Sequence, residues 1–256
     1  MLHAQFTDAT TFQRLVQVLK DIVVDCVVRC HSDGMTMQAM DASHVVLCSF
    51  TLSANAFEHY SCENPIELGI NMPTLEQILK CSKKDDVLTL KASEQCDTLD
   101  VLFENKVLHR NAMYSIQLMH IDVDELVIPD TLYPTNIKMS ASYFQDVCKD
   151  LLVVGDTCDV LSCPNRLEFH VHGNTTHVKM CMHNTEEPAS QTLEISAFDT
   201  ITQKFSLKSL SMFSKASCLS SFVHIGIGDM LPLQVKYMIA ENCGMLSFYI
   251  APRVEV

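Results

Sequence analysis

Two stretches of this 256-residue chain are written twice, and this limits its fold more than any other feature. ATTFQRLVQVLKDIVV (residues 9–24) sets Phe12, Leu15, Val16, Leu19, Ile22 and Val23 on one helical stripe. ASYFQDVCKDLL (residues 141–152) does the same with Phe144, Val147, Cys148, Leu151 and Leu152, and the two Phe-Gln pairs lie 132 residues apart. A second helix, TLEQILKCSKK (residues 74–84), has Pro73 suited to its first turn. Its pattern Leu75-x-x-Ile78-x-Lys80-x-Ser82 recurs as Leu210-x-x-Phe213-x-Lys215-x-Ser217, at an offset of 135, beginning in the helical segment 204–215 and running just past it. The remainder is short, alternating, β-branched or aromatic runs such as DVLTLKA, RLEFHVH and LQVKYMIA. The chain therefore predicts two similar domains of class α+β, each with many strands and two helices.

The joint between the copies is QLMHIDVDELVIPDTLYP (residues 117–134), which has four acids between Met119 and Tyr133 and no basic residue. The expected division is 1–118, a connector at 119–133, and 134–256. Leu126, Val127 and Ile128 stand together in this acidic, proline-stopped connector. They serve either to pin it onto the sheets or to receive a partner.

Net charge is −13, which by itself argues against nucleic acid. Its distribution argues otherwise. The four helical segments hold nine of the 18 Lys and Arg residues against four acids, so they carry +5 and the rest of the chain −18. Solvated helices often display lysine. The other reading is a helix-lined surface that meets phosphate, with an acidic exterior that discourages non-specific adhesion.

No apolar run reaches the roughly 18–20 residues of a membrane span, and the opening MLHAQFTDAT lacks signal-peptide blocks, so an intracellular soluble protein is expected. The 12 cysteines are not spaced as zinc ligands and suit buried thiols in a reducing compartment. No phosphate-binding glycine loop, HExxH or GxSxG occurs. Asp41, Ser43 and His44 crowd one loop and cannot converge as a triad does. No catalytic residue, metal or cofactor is expected.

MQAMDASHVVL (Met37–Leu47), LEQILKC (Leu75–Cys81), ELVIPDTLY (Glu125–Tyr133), VGD (Val154–Asp156), DMLPLQVKYMIA (Asp229–Ala240) and FYIAPRVEV (Phe248–Val256) follow one another in order. Over essentially its whole length the chain resembles the eukaryotic DNA sliding-clamp family, proliferating cell nuclear antigen. The resemblance implies the DNA clamp fold, with two domains of helices on antiparallel sheets, and three chains closed into a homotrimeric ring. Helices would line the hole, with Arg14, Lys20, Lys80, Arg110, Lys149, Lys208 and Lys215 facing duplex DNA. Their contacts would be to phosphate, since base reading would stop sliding. It implies a surface for peptides of the Gln-x-x-apolar-x-x-aromatic-aromatic type, built by Met40, His44, Val45, Leu47, Leu126, Val127, Ile128, Pro129, Tyr133, Pro232, Tyr249, Ile250, Ala251 and Pro252. It implies subunit contacts through His109, Arg110, Tyr114, His177, Val178 and Met180. The implied function is a processivity factor for replicative, delta-type DNA polymerase. It would also be a platform for clamp loader, flap endonuclease, DNA ligase and factors of repair, translesion synthesis and mismatch repair, in the nucleus. A subunit of the heterotrimeric checkpoint clamp shares the fold; the retained VIPDTLY and YIAPR argue against it.

Four features depart from the family pattern. No lysine lies between Lys149 and Lys179, where the family carries a modifiable one. Ser209 stands where an aromatic is expected, and Val127 where a small residue is. RLEFHVHGNTTHVKMCMH (residues 166–183) reads as a hairpin with Leu167, Phe169, Val171, Val178, Met180 and Met182 inward. Glu168, His170, His172, His177, Lys179, Cys181 and His183 would then share the outer face. That face admits three readings: plain surface histidines, a zinc or copper site, or protonation of His177 or His183 near about pH 6 loosening a subunit seam.

Overall fold

The structure is a computed structural model, and it describes residues 1–6, 9–93, 97–122, 131–185, 193–197, 199–239 and 242–253. The chain forms two compact units. One comprises Met1–Ala42, Cys48–Val127 and Met238–Leu246, and the other Ser43–Leu47, Ile128–Tyr237 and Ser247–Val256.

The first copy runs β1 (Leu2–Phe6), α1 (Ala9–Leu19), β2 (Asp25–His31), β3 (Gly34–Met40), β4 (Val46–Ser53), β5 (His59–Cys62), β6 (Ile66–Asn71), α2 (Met72–Leu79), β7 (Val87–Ala92), β8 (Thr98–Asn105) and β9 (Arg110–Gln117). The second runs β10 (Thr135–Ser140), α3 (Ala141–Leu152), β11 (Thr157–Cys163), β12 (Arg166–His172), β13 (His177–His183), β14 (Leu193–Ala197), β15 (Ile201–Ser206), α4 (Leu207–Ser214), β16 (Phe222–Ile227), β17 (Leu233–Ile239) and β18 (Gly244–Ile250). The order is the same element for element. So is the pairing: β5-β1-β7-β8-β9 recurs as β14-β10-β16-β17-β18, and β4-β3-β2-β6 as β13-β12-β11-β15. The fold is α+β with antiparallel sheets, as the duplicated pattern predicts.

Local chemistry sets the helix ends. Pro73 occupies the first turn of α2, where no N–H partner is lost, and the Asn71 side chain accepts from the Thr74 N–H at 3.0 Å. Ser206 opens α4 in the same way, accepting from the Ser209 N–H at 3.4 Å. Three predicted helix boundaries need correction. The second helix ends at Leu79, short of Lys84, with Lys80 as its C-cap. The first helix ends at Leu19, short of Val24: Ile22 and Val23 both return their N–H to the Leu19 carbonyl at 2.9 Å, so the chain turns and their side chains still reach the core. Lys204 belongs to β15, where Ile201, Gln203 and Phe205 alternate inward, and it pairs with Asp159 across the ladder at 3.6 Å.

The apolar stripes are buried at Phe12, Leu15, Val16 and Leu19 on α1, and at Phe144, Val147, Cys148 and Leu151 on α3; Leu152, assigned to the α3 stripe by its spacing, is instead exposed at the helix end. At roughly 1.5–3 kcal/mol per buried large side chain, these stripes hold the helices to their sheets. On α4, Phe213 stacks on Phe248, with centroids 4.7 Å apart and planes 3° from parallel. Gly34, at φ 142°, is required where β3 turns: a Cβ there would lie 1.9 Å from the Leu52 carbonyl oxygen. All eleven described cysteines are free thiols. Burial pushes Cys26, Cys30 and Cys158 up to about 12, so they behave as core hydrophobes.

Candidate nucleic-acid interface and partner surface

Four of the seven candidate DNA-facing cations lie in the first unit. Arg14 is exposed on α1. Lys20 follows the end of α1 and Lys80 caps α2, which brings both to one carboxylate. Glu76, on α2, is only 3% exposed. Its Oε1 lies 2.7 Å from the Lys80 ammonium and 3.2 Å from that of Lys20. Burial alone would push this carboxyl up; the approach of Lys80 and Lys20 outweighs it and holds the group below the ordinary carboxylate range. Arg110, on β9, reaches the fully buried Asp86 at 3.3 Å and the Cys81 carbonyl at 3.3 Å. Asp86 also accepts from the Lys83 N–H and the Asn105 amide, each at 2.7 Å.

The other three cations lie in the second unit. Lys149 is exposed on α3, 3.7 Å from an equally exposed Asp146. Lys208 is exposed on α4, and Lys215 is exposed in the turn that follows it. Lys83 and Lys84 fall beyond α2, so the helices proper carry less charge than the sequence pattern assigns them.

The His/Cys hairpin is β12 with β13, paired with His172 opposite His177 and Glu168 opposite Cys181. Leu167, Phe169, Val171 and Met182 are buried; Val178 and Met180 are half-buried on the outermost strand of their sheet. Glu168 departs from expectation. It lies on the outer face yet is 4% exposed, because the stems of its partners cover it. Arg166 reaches its Oε1 at 2.9 Å; His170 and Lys179 reach Oε2 at 2.8 and 3.0 Å. The His170 and Lys179 hydrogen bonds, in that order, hold its carboxyl at about 2. The His172 and His177 rings lie 4.2 Å apart, and Cys181 Sγ lies 3.6 Å from His183 Nε2. Among the described residues, no group of three or more His, Cys, Asp or Glu is arranged to hold a metal.

Of the expected peptide surface, Leu126, Val127, Ile128 and Pro129 lie outside the described residues. The second unit carries most of the rest. Tyr133 lays its ring on Gly226, where a Cβ would come within 2.7 Å. Burial, and then the neighbouring Tyr249, pushes the Tyr133 phenol up to about 12. Tyr249 accepts from the Gln234 amide at 2.9 Å, and the Ala251 N–H donates to the Val45 carbonyl at 3.4 Å. Val45, Pro232 and Ala251 are exposed; Leu47 and Pro252 are half-buried; His44 is exposed in the left-handed region at φ 55°. Ile250 is 1% exposed, so its side chain belongs to the core. Met40 is half-buried in the first unit.

Comparison with known proteins bears on both units. The family model for the N-terminal domain of proliferating cell nuclear antigen matches residues 1–126, and that for the C-terminal domain matches residues 127–253. This chain belongs to the proliferating cell nuclear antigen family. It is 34% identical over 256 residues to the proliferating cell nuclear antigen of Chaetomium thermophilum (strain DSM 1495 / CBS 144.50 / IMI 039719), spanning 99% of this chain and 98% of that one. Membership in the proliferating cell nuclear antigen family carries the coarse functional reading: a DNA sliding clamp, from a family of processivity factors and not of enzymes. No helix among the described residues is long and apolar enough to cross a membrane.

The burial of three carboxylates, Glu76, Asp86 and Glu168, is not among the expectations from sequence. For Glu76 a signal was present, since Lys80 follows at i+4. Its second partner, Lys20, comes from the turn that follows α1. Asp86 gives no local sign of burial.

Proposed function

We propose that this chain closes as a ring of three copies around duplex DNA in the nucleus. There it serves as processivity factor for a replicative polymerase and as a docking platform. The reading rests on membership across both domains together with one observation: each copy of the duplicated fold brings a pair of helices, with Lys or Arg within them or just past their ends, to the same place in its element order. Arg14, Lys20, Lys80, Arg110, Lys149, Lys208 and Lys215 are the proposed phosphate contacts. They carry no base specificity, which a sliding protein must avoid. β9 and β13 each end a sheet, and such edges offer unpaired backbone groups to another chain. His109, Arg110 and Tyr114 on one side and His177, Val178 and Met180 on the other are the proposed seam.

The working parts are domains 1–118 and 134–256 with the connector 119–133 between them. The connector, with Met40, His44, Val45, Leu47, Tyr133, Pro232, Tyr249, Ala251 and Pro252, is proposed to take Gln-x-x-apolar-x-x-aromatic-aromatic peptides from polymerases, flap endonuclease and ligase. The aromatic pair would enter an apolar surface while backbone groups pair with the peptide. A clamp loader would open and close the ring. The test is sizing in solution, then loading onto nicked circular DNA. A trimer retained on the circle and lost on linearisation is expected; a monomer, or equal loss from both, overturns the reading.

A further inference from the structure

At one helix position the two copies carry a different charge beside a shared lysine. In α2, Glu76 lies four residues before Lys80; at the same offset of 135 that aligns the helices, α4 has Ser211 four residues before Lys215. Glu76 is buried at 3% exposure and holds two ammonium groups on a single oxygen, at 2.7 and 3.2 Å. The Lys80 side chain is 57% exposed and that of Lys20 is 26% exposed, so both present their remaining N–H donors to solvent. A buried carboxylate stripped of its partners is strongly disfavoured. An incoming phosphate can therefore share these lysines but cannot take them from Glu76. The local charge it meets is that of one cation, although two are present.

We propose that Glu76 is a positioning residue that limits how hard the first unit grips phosphate, by tying Lys20 and Lys80 to one buried carboxylate and cancelling one of their two charges. This rests on the reading that these helices face DNA. Sliding requires that no phosphate contact be strong enough to pin the ring, and Glu76 builds that limit into one copy of the duplicated fold. The second copy, with a hydroxyl at the matching position, lacks that carboxylate. Arg110 has a similar restraint in Asp86, at 3.3 Å.

The experiment measures binding of the full chain to a fluorescent duplex across a potassium chloride series, for wild type, Glu76→Gln and Ser211→Glu. Neutralising Glu76 frees one positive charge per chain. Binding at low salt should tighten severalfold, and the slope of log affinity against log salt should steepen by about 0.9 per chain. Ser211→Glu sets a carboxylate at i−4 to Lys215, and should flatten the slope by a similar amount. A loss of folding alone does not steepen a salt slope, and Ser211→Glu keeps the test decisive should Glu76→Gln fold poorly. A wild type with salt-dependent binding whose slope neither substitution moves in these directions overturns the inference alone. A wild type with no salt-dependent duplex binding overturns the DNA-facing reading and the inference with it.

Discussion

The two units repeat one element order and one strand order, yet they handle charge differently. In the first, Lys20 and Lys80 lean on buried Glu76, and Arg110 leans on buried Asp86. In the second, Lys149 pairs with an exposed aspartate and the buried carboxylate, Glu168, sits on the β12–β13 hairpin instead. At the offset of 135, Ser221 stands where the first copy has Asp86, and Ser211 where it has Glu76. Duplication preserved apolar character at core positions, as at Ile78 and Phe213, because a stripe must pack whatever its exact side chains. Charged positions were free to diverge, because each answers only to its own neighbours.

The largest expected effect tests the core of this comparison. Phe213→Ala removes a ring stacked on Phe248 and should cost about 3–5 kcal/mol, whereas Ile78→Ala, half-buried at the matching place, should cost about 1–2 kcal/mol. Urea unfolding of both variants checks the ranking, and equal losses would break it. Next, Asp86→Ala leaves the Lys83 N–H, the Asn105 amide and Arg110 without their acceptor. Because Arg110 is partly exposed and screened, about 3 kcal/mol is expected. Ser221→Ala, the matched change, should move the urea midpoint hardly at all.

Acid sharpens the contrast between the copies. Glu168 titrates near 2 in the folded chain against an ordinary 4.5, so it binds its proton more weakly when folded. Its stabilisation is complete above about 4.5 and is lost as pH falls through about 2. Glu168→Gln should therefore be less stable than wild type at neutral pH, with the gap closing over that interval. A gap of equal size at pH 7 and pH 2 would refute the cage. The smallest effect belongs to Lys149. Its exposed pair with Asp146 is worth less than about 0.5 kcal/mol, so Lys149→Gln should leave the melting temperature in place. Duplex affinity should fall nonetheless, with a salt slope flatter by about 0.9 per chain. A shifted melting temperature with unchanged affinity would assign Lys149 to structure alone.

Much of this was legible in advance for a physical reason. Helical stripes and strand alternation are short-range patterns, so α1, α3 and the two faces of the β12–β13 hairpin could be read from spacing. Boundaries were less legible. Val24 and Lys204 sit in patterns that suit a helix, but the turn after Leu19 and the Ser206 cap end and begin the helices elsewhere. Alternation assigned Glu168 to the outer face and could not foretell that the side chains of Arg166, His170 and Lys179 would cover it.

The sequence by itself determined the duplication, the α+β class, the free thiols and the family, because these depend on residue type and periodicity along the chain. Only the tertiary structure decided which charges are spent on one another. Lys20 meets Glu76, and Arg110 meets Asp86, across different elements, and an ion pair depends on distance in space and on burial, neither of which spacing along the chain reports.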